Sequence, residues 1–311
     1  MHICKKKCTF AAKFITGKRL NKQMKQGLIR ILIWLGIMSI LTVLAMVAWM
    51  MIWGGTQTTD SLKWLQFLQT IATFLLPSIL CAWLWEEEHK PFRWLRMDVP
   101  VQWKEMLLAI VIMVCAVPGI NLLADLNSRV ELPKSLEFIE QILKSQEEAA
   151  AALTERFLQA DNIGGLLVNI GLMALLPALS EESAFRGTLQ QIIYKDQSGK
   201  VQSTKVHPAV WITAFVFSAI HLQFYGFVPR MLLGAMFGYV FVWSGSLWIP
   251  ITMHFVNNGL AVVTYYLSAG NEDTKNIADT LGAGDTWYFG VLSLLITSLG
   301  LLIFYRRTHK Q

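Results

Sequence analysis

Residues 31–53 read ILIWLGIMSILTVLAMVAWMMIW, twenty-three consecutive positions without a charged side chain. About 20 apolar residues in a helix cross the roughly 30 Å hydrocarbon layer of a bilayer, so this run is a membrane span by length alone. A basic start followed by an apolar run also fits a secretory signal. A signal's apolar region is only about 7 to 15 residues long, however, and no small-residue cleavage site follows this run. Working outward, seven further runs follow at 64–85, 106–126, 163–184, 209–224, 228–243, 247–267 and 287–305. The chain reads as an all-α, polytopic membrane helix bundle of about eight transmembrane helices. A basic tail over 1–28 precedes a single transmembrane domain over 29–311. An apolar content of 54% and a mean hydropathy of +0.45 exclude an ordinary soluble enzyme.

The net charge of +6 is spread by loop and not gathered into one groove, which argues for membrane orientation and against nucleic acid. Basic residues collect in four places. These are the tail (Lys5, Lys6, Lys7, Lys13, Lys18, Arg19, Lys22, Lys25, Arg30), the loop with Lys90, Arg93, Arg96 and Lys104, the loop with Lys195, Lys200 and Lys205, and the end with Arg306, Arg307 and Lys310. Eight spans put all four on one side, and the positive-inside rule makes that side cytoplasmic. The acidic loop with Glu272, Asp273, Asp279 and Asp285 then falls outside. The expected location is a bacterial cytoplasmic membrane, multi-pass, with both termini cytoplasmic. Trp34, Trp49, Trp53, Trp64, Trp83, Trp85, Trp243, Trp248 and Trp287 lie near span ends as interfacial anchors. Cys81 and Cys115 sit in apolar runs as packing residues, and Cys4 and Cys8 lie in the tail, too few for a metal site.

The longest outside connection, 127–162, contains a surface helix over 134–159, where Leu136, Ile139, Ile142 and Leu143 recur at helical spacing among Glu and Lys. No repeat of 20 to 50 residues and no inverted symmetry is visible, which weighs against a transporter.

Ionisable and amide side chains inside apolar runs carry the functional reading, because charge near a bilayer centre costs about 2.5 to 3.5 kcal/mol even on the mildest scales. On a helix Glu181 and Glu182 point about 100° apart. Arg186 lies one turn beyond Glu182 and pairs with it along one face, which leaves Glu181 as the free carboxylate suited to a general base. Phe217 and His221 are one turn apart, as are His254 and Asn258, so each pair presents one face to a neighbouring helix. Asn258 has the donor chemistry that an oxyanion needs. If the fourth helix runs on to Lys195, Glu181 lies about 14 residues, roughly 21 Å, from its end, and His221 lies equally far from a start near Pro208. Antiparallel packing brings those two level. The same reckoning leaves His254 nearer the cytoplasmic end. Other polar positions read as structural: Gln66, Gln69, Asn121 and Asn169 as hydrogen-bond glue, the row from Glu86 to His89 as a solvated edge, Gly234 and Gly238 as helix packing, and Arg230 as a snorkelling interfacial charge.

The ordered set Glu181-Glu182-Ser183-Ala184-Phe185-Arg186-Gly187, Phe217-Ser218-Ala219-Ile220-His221 and His254-Phe255-Val256-Asn257-Asn258 resembles the three motifs of the CPBP intramembrane proteases. These comprise the CAAX prenyl proteases of the Ras-converting type and the bacteriocin-processing or abortive-infection proteins. The resemblance covers 163–266. It implies an eight-helix endopeptidase whose site opens toward the cytoplasm and which cuts a membrane-associated or lipid-modified protein or peptide. By position, Glu181 and His221 look like the pair that activates water, and His254 and Asn258 like the oxyanion-stabilising or metal-facing pair. Glu182, Arg186 and Phe217 look like their support. Two readings of the site stay open: Zn²⁺ on Glu181, His221 and His254 with water in an open position, or water activation by the same groups without metal. Ser183-Ala184 stands where the family usually carries two bulky apolar residues. The alternative to an enzyme is a membrane adaptor or immunity protein of the same fold that binds a partner helix or peptide.

Overall fold

The computed structural model describes residues 2–196, 198–268 and 280–309, with side chains from Lys25 onward. The expected acidic loop with Glu272, Asp273 and Asp279, Lys195's loop neighbour Gln197, the terminal Lys310, and the side chains of the tail with Cys4 and Cys8 lie outside the described residues. The described chain is helical without a named strand; a lone bridge joins Lys195 to Val201.

In chain order the helices are α1 (His2–Trp53), α2 (Thr59–Trp85), α3 (Trp103–Ser128), α4 (Glu137–Leu158), α5 (Ile163–Tyr194), α6 (Ser203–Ala219), α7 (Phe227–Ser244), α8 (Trp248–Leu267) and α9 (Trp287–Thr308). Six of them are long and apolar enough to cross a membrane: α1 from Lys25, α2, α3, α5, α7 and α9 from Gly284. The other two expected spans, α6 and α8, are helices that fall outside that set. One has 17 residues, and the other carries His254, Asn257 and Asn258 within its 20. The polarity of α8 is the polarity of the site. The surface helix expected over 134–159 is α4, preceded by a 3₁₀ turn at Lys134–Leu136.

Two prolines shape the long helices. Pro77 in α2 and Pro177 in α5 have no N–H to donate, and each ring would strike the carbonyl four residues back. Both helices widen into a π turn just before the proline, at Ile71–Leu75 and Ile170–Leu175, where Leu76 N–H reaches Ile71 O and Leu176 N–H reaches Gly171 O. A third π turn, Phe185–Gln190, follows the acidic pair and contains Arg186.

The two ends of the bundle are tied differently. At one end the 86–102 connection folds over the start of α8: Arg96 donates from Nε to Gly245 O (2.9 Å), Ser246 Oγ to Val99 O (3.0 Å), and Trp248 Nε1 to Met97 O (2.8 Å). Gly245 takes a left-handed φ of 66° to end α7, and the turn into α8 is consequently only three residues long. At the other end Asn127, near the close of α3, holds the 219–227 turn through Phe224 O (2.9 Å) and Val228 N (3.0 Å). Helix α4 is tied to that same end by Arg156, which donates to Thr59 Oγ1 (2.9 Å) and Gln57 O (2.8 Å), and by Glu147, which accepts from Tyr225 N (3.3 Å).

Candidate active site

Helices α5, α6, α7 and α8 meet around one buried ion cluster. Glu182 and Arg186 are fully buried, and Glu182 Oε1 accepts from Arg186 Nη1 at 2.8 Å. The expected one-turn pair is therefore present. Arg186 Nη2 also donates to Gly234 O (2.8 Å), and Gly234 lets α6 pack close: an added Cβ there would stand 3.2 Å from Ala214 Cα and from Phe217 Cδ1. The guanidinium lies 4.7 Å from the Phe217 ring centroid and 5.4 Å from that of Phe237. A cation between two rings and against a carboxylate is the compensated form in which buried charge survives.

Glu182 has a second partner that the spacing did not disclose. The same Oε1 accepts from His254 Nδ1 at 2.8 Å, which turns His254 Nε2 toward Glu181 Oε2 at 3.9 Å. His254 is buried and stacks on Phe237, with ring centroids 5.5 Å apart. This corrects the depth expected for His254. Helix α8 does not begin at the bundle surface but beneath the 86–102 connection, where Leu247 and Ile249 are fully buried. Seven residues into α8 is already level with the acidic pair.

His221 sits just past the end of α6, its Nδ1 2.8 Å from Phe217 O. A carbonyl only accepts, so Nδ1 carries the proton and Nε2 presents a lone pair. Asn258 donates from Nδ2 to Met173 O (3.3 Å) and accepts from Asn257 Nδ2 (3.1 Å) at Oδ1. Met173 is the carbonyl four residues before Pro177, the one that a regular helix would leave without its donor. One amide hydrogen of Asn258 stays unassigned.

Glu181, Phe217, His221, His254 and Asn258 line a single cavity of about 370 Å³, together with Ile120, Ala124, Gly226, Pro229, Arg230, Leu233, Phe237 and Asn257. The sequence-selected set is thus brought together, with Glu182 and Arg186 directly behind it. Arg230 is a correction: it does not snorkel to an interface but lines this cavity. Its Nη2 donates to Gln223 Oε1 (2.5 Å), and its Nη1 is buried without a protein partner. A second cavity of about 330 Å³ shares Glu181 and His221 and is bounded by Thr42, Gln66, Gln69, Thr70 and Thr73. Residues 66, 69, 70 and 73 follow helical one-face spacing. That spacing was the available signal that Gln66 and Gln69 form a polar stripe facing the site, and not isolated glue.

The donor set does not fit a three-ligand metal centre. Among the described residues no three His, Cys, Asp or Glu side chains gather where they could hold one ion between them.

A helical bundle with six spans long and apolar enough to cross a membrane, enclosing a carboxylate, two oriented imidazoles and an amide in one cavity, defines the class: a polytopic membrane protein. Residues 163–260, from the start of α5 well into α8, match the family model described as type II CAAX prenyl endopeptidase Rce1-like. The uncharacterized protein YpbD of Bacillus subtilis (strain 168) is 27% identical over 88 residues. That match takes in 27% of this chain and 39% of the relative, so the chain spans well under half of the relative's length. No solved structure matches.

Proposed function

We propose that this chain is an intramembrane endopeptidase of the CAAX-protease type, acting on a membrane-associated or lipid-modified protein or peptide. The observation that carries the reading is the bifurcated Glu182: one carboxylate oxygen holds Arg186 and His254 together, leaving Glu181 and His254 Nε2 to face the cavity.

Glu181 takes a proton from a water in the cavity as the water oxygen attacks the scissile carbonyl. His221 Nε2, a lone-pair acceptor, orients that water through its other hydrogen. The carbonyl oxygen gains charge, and the unassigned amide hydrogen of Asn258 donates to it, as does His254 Nε2 where His254 enters and leaves the step as an imidazolium. Glu182 offsets that imidazolium's charge throughout, so His254 neither gains nor loses a proton in the step. Glu181 then passes its proton to the leaving nitrogen, which balances the step. Phe217 and Phe237 keep bulk water from the cluster, where excluded water strengthens each of these interactions. Apolar space of about 650 Å³ between α2 and α5, lined by Trp53, Trp64, Phe67, Leu172, Leu175 and Leu179 among others, favours a substrate with an apolar chain. The four basic segments favour cytoplasmic termini.

The test is a comparison of membrane and released peptides from cells carrying the natural chain or Glu181→Ala. Full-length proteins accumulating in the variant, with matching fragments only in the natural strain, support the reading. Identical peptide sets contradict it.

A further inference from the structure

The two sides of the site are unequal. Toward the end that carries Lys90, Arg93, Arg96, Lys195 and Lys205, the layer beneath Glu182 is solid: Arg186, Thr188, Gln190, Gln191, Leu95 and Leu247 have no exposed surface. Gln191 Nε2 donates to Trp94 O (2.8 Å), Gln190 Nε2 donates to Gly238 O (3.1 Å), and at Gly187 an added Cβ would stand 2.9 Å from Leu95. The 86–102 connection closes this layer. Toward the opposite end the cavity continues past Ala124, near the close of α3, to Gly226, Pro229 and Arg230 at the turn into α7. Helix α4 is tied to that end through Glu147 and Arg156.

The charges divide the same way. The four basic segments of the sequence hold 19 of the 27 Lys and Arg, and their described members Arg30, stacked on Trp85 and Trp94, with Lys90, Arg93, Arg96, Lys195 and Lys205, lie toward the sealed end, whereas Asp125 to Asp161 at the open end holds eight acidic against four basic residues. Positive residues in short loops mark the cytoplasmic face. Cytoplasmic basic segments and a site opening to the cytoplasm, both expected from the sequence and its resemblance, are therefore incompatible in this fold.

We propose that the catalytic cavity is entered from the non-cytoplasmic side of the membrane, so that its substrate is a polypeptide segment presented there, an exported or surface-exposed chain and not a cytosolic tail. The substrate class rests on the protease reading; the side of entry does not.

Thiol labelling separates the two. In the full chain with Cys4, Cys8, Cys81 and Cys115 changed to Ala, single cysteines are placed by Ala124→Cys in the cavity, Lys144→Cys on α4 and Lys90→Cys in the sealing connection. Cells stripped of their wall are treated with a membrane-impermeant maleimide before or after permeabilisation. The expected result is labelling of Ala124→Cys and Lys144→Cys in intact cells, and of Lys90→Cys only after permeabilisation. Labelling of Ala124→Cys only after permeabilisation, or in neither state, overturns the proposal. Labelling does not require turnover: outside access combined with no Glu181-dependent cleavage sinks the protease reading and leaves the side of entry standing.

Discussion

His254 Nδ1 and Glu182 Oε1 lie 2.8 Å apart, and the same oxygen is 2.8 Å from Arg186 Nη1. One carboxylate thus serves two purposes: it compensates a fully buried guanidinium and fixes which nitrogen of His254 faces the cavity. The two carboxylates that neighbour each other in sequence face different surroundings, Glu182 the buried guanidinium and Glu181 the cavity, because a helix turns them about 100° apart.

Glu182→Gln removes the charge from that junction and leaves Arg186 buried without its counter-ion, a loss of about 3 to 5 kcal/mol for a truly buried pair. Low yield and a lowered Tm in detergent are expected. Combining it with Arg186→Met removes both charges and should restore stability, since apolar replacement of a buried pair is often neutral. Cleavage should stay impaired, because His254 has lost its anchor. Wild-type turnover in the double variant would show that Glu182 serves stability alone.

The cavity groups do not assemble a three-ligand set, so cleavage should persist after exhaustive dialysis against a zinc chelator. His221→Ala, which removes the lone pair proposed to orient water, should lower kcat by about 10² to 10⁴ with the protein still folded. Activity that disappears on chelation and returns with added zinc would reverse this account of water activation.

Packing between α3 and α9 depends on small residues. An added Cβ at Gly290 would stand 2.5 Å from Gly282 O and 2.6 Å from Leu122 Cβ, while Gly36 has nothing within 4 Å. Gly290→Ala should destabilise by about 1 to 3 kcal/mol through overpacking. Gly36→Ala should be neutral or gain up to about 1 kcal/mol from helix propensity. Melting curves of the two variants side by side check the seam, and equal Tm values would place α9 elsewhere.

Much of this was legible in the sequence. Apolar runs of span length mark the helices because a bilayer demands that length, and one-turn spacing identifies Glu182 with Arg186 and His254 with Asn258. The depth of His254 was not legible: it depends on the 86–102 connection folding over α8, a contact between segments about 150 residues apart. Arg230 was misread for the same reason. Its position after Pro229 gives an interface by sequence, but the turn held by Asn127 draws it inward. The side on which the cavity opens likewise follows from which end is sealed, and no periodicity encodes that.

The proposal that Glu181 is the base of a peptide hydrolysis can be tested on its own substrate. Its most direct test is cleavage of a substrate peptide, identified from membranes of the Glu181→Ala strain, by purified protein in lipid vesicles, comparing the natural chain with Glu181→Gln at equal folded concentration. The account predicts a fall of about 10² to 10⁴ in kcat for Glu181→Gln, with Asn258→Ala lower by about 10² to 10³ and KM little changed in both. Cleavage by Glu181→Gln at the rate of the natural chain would contradict it.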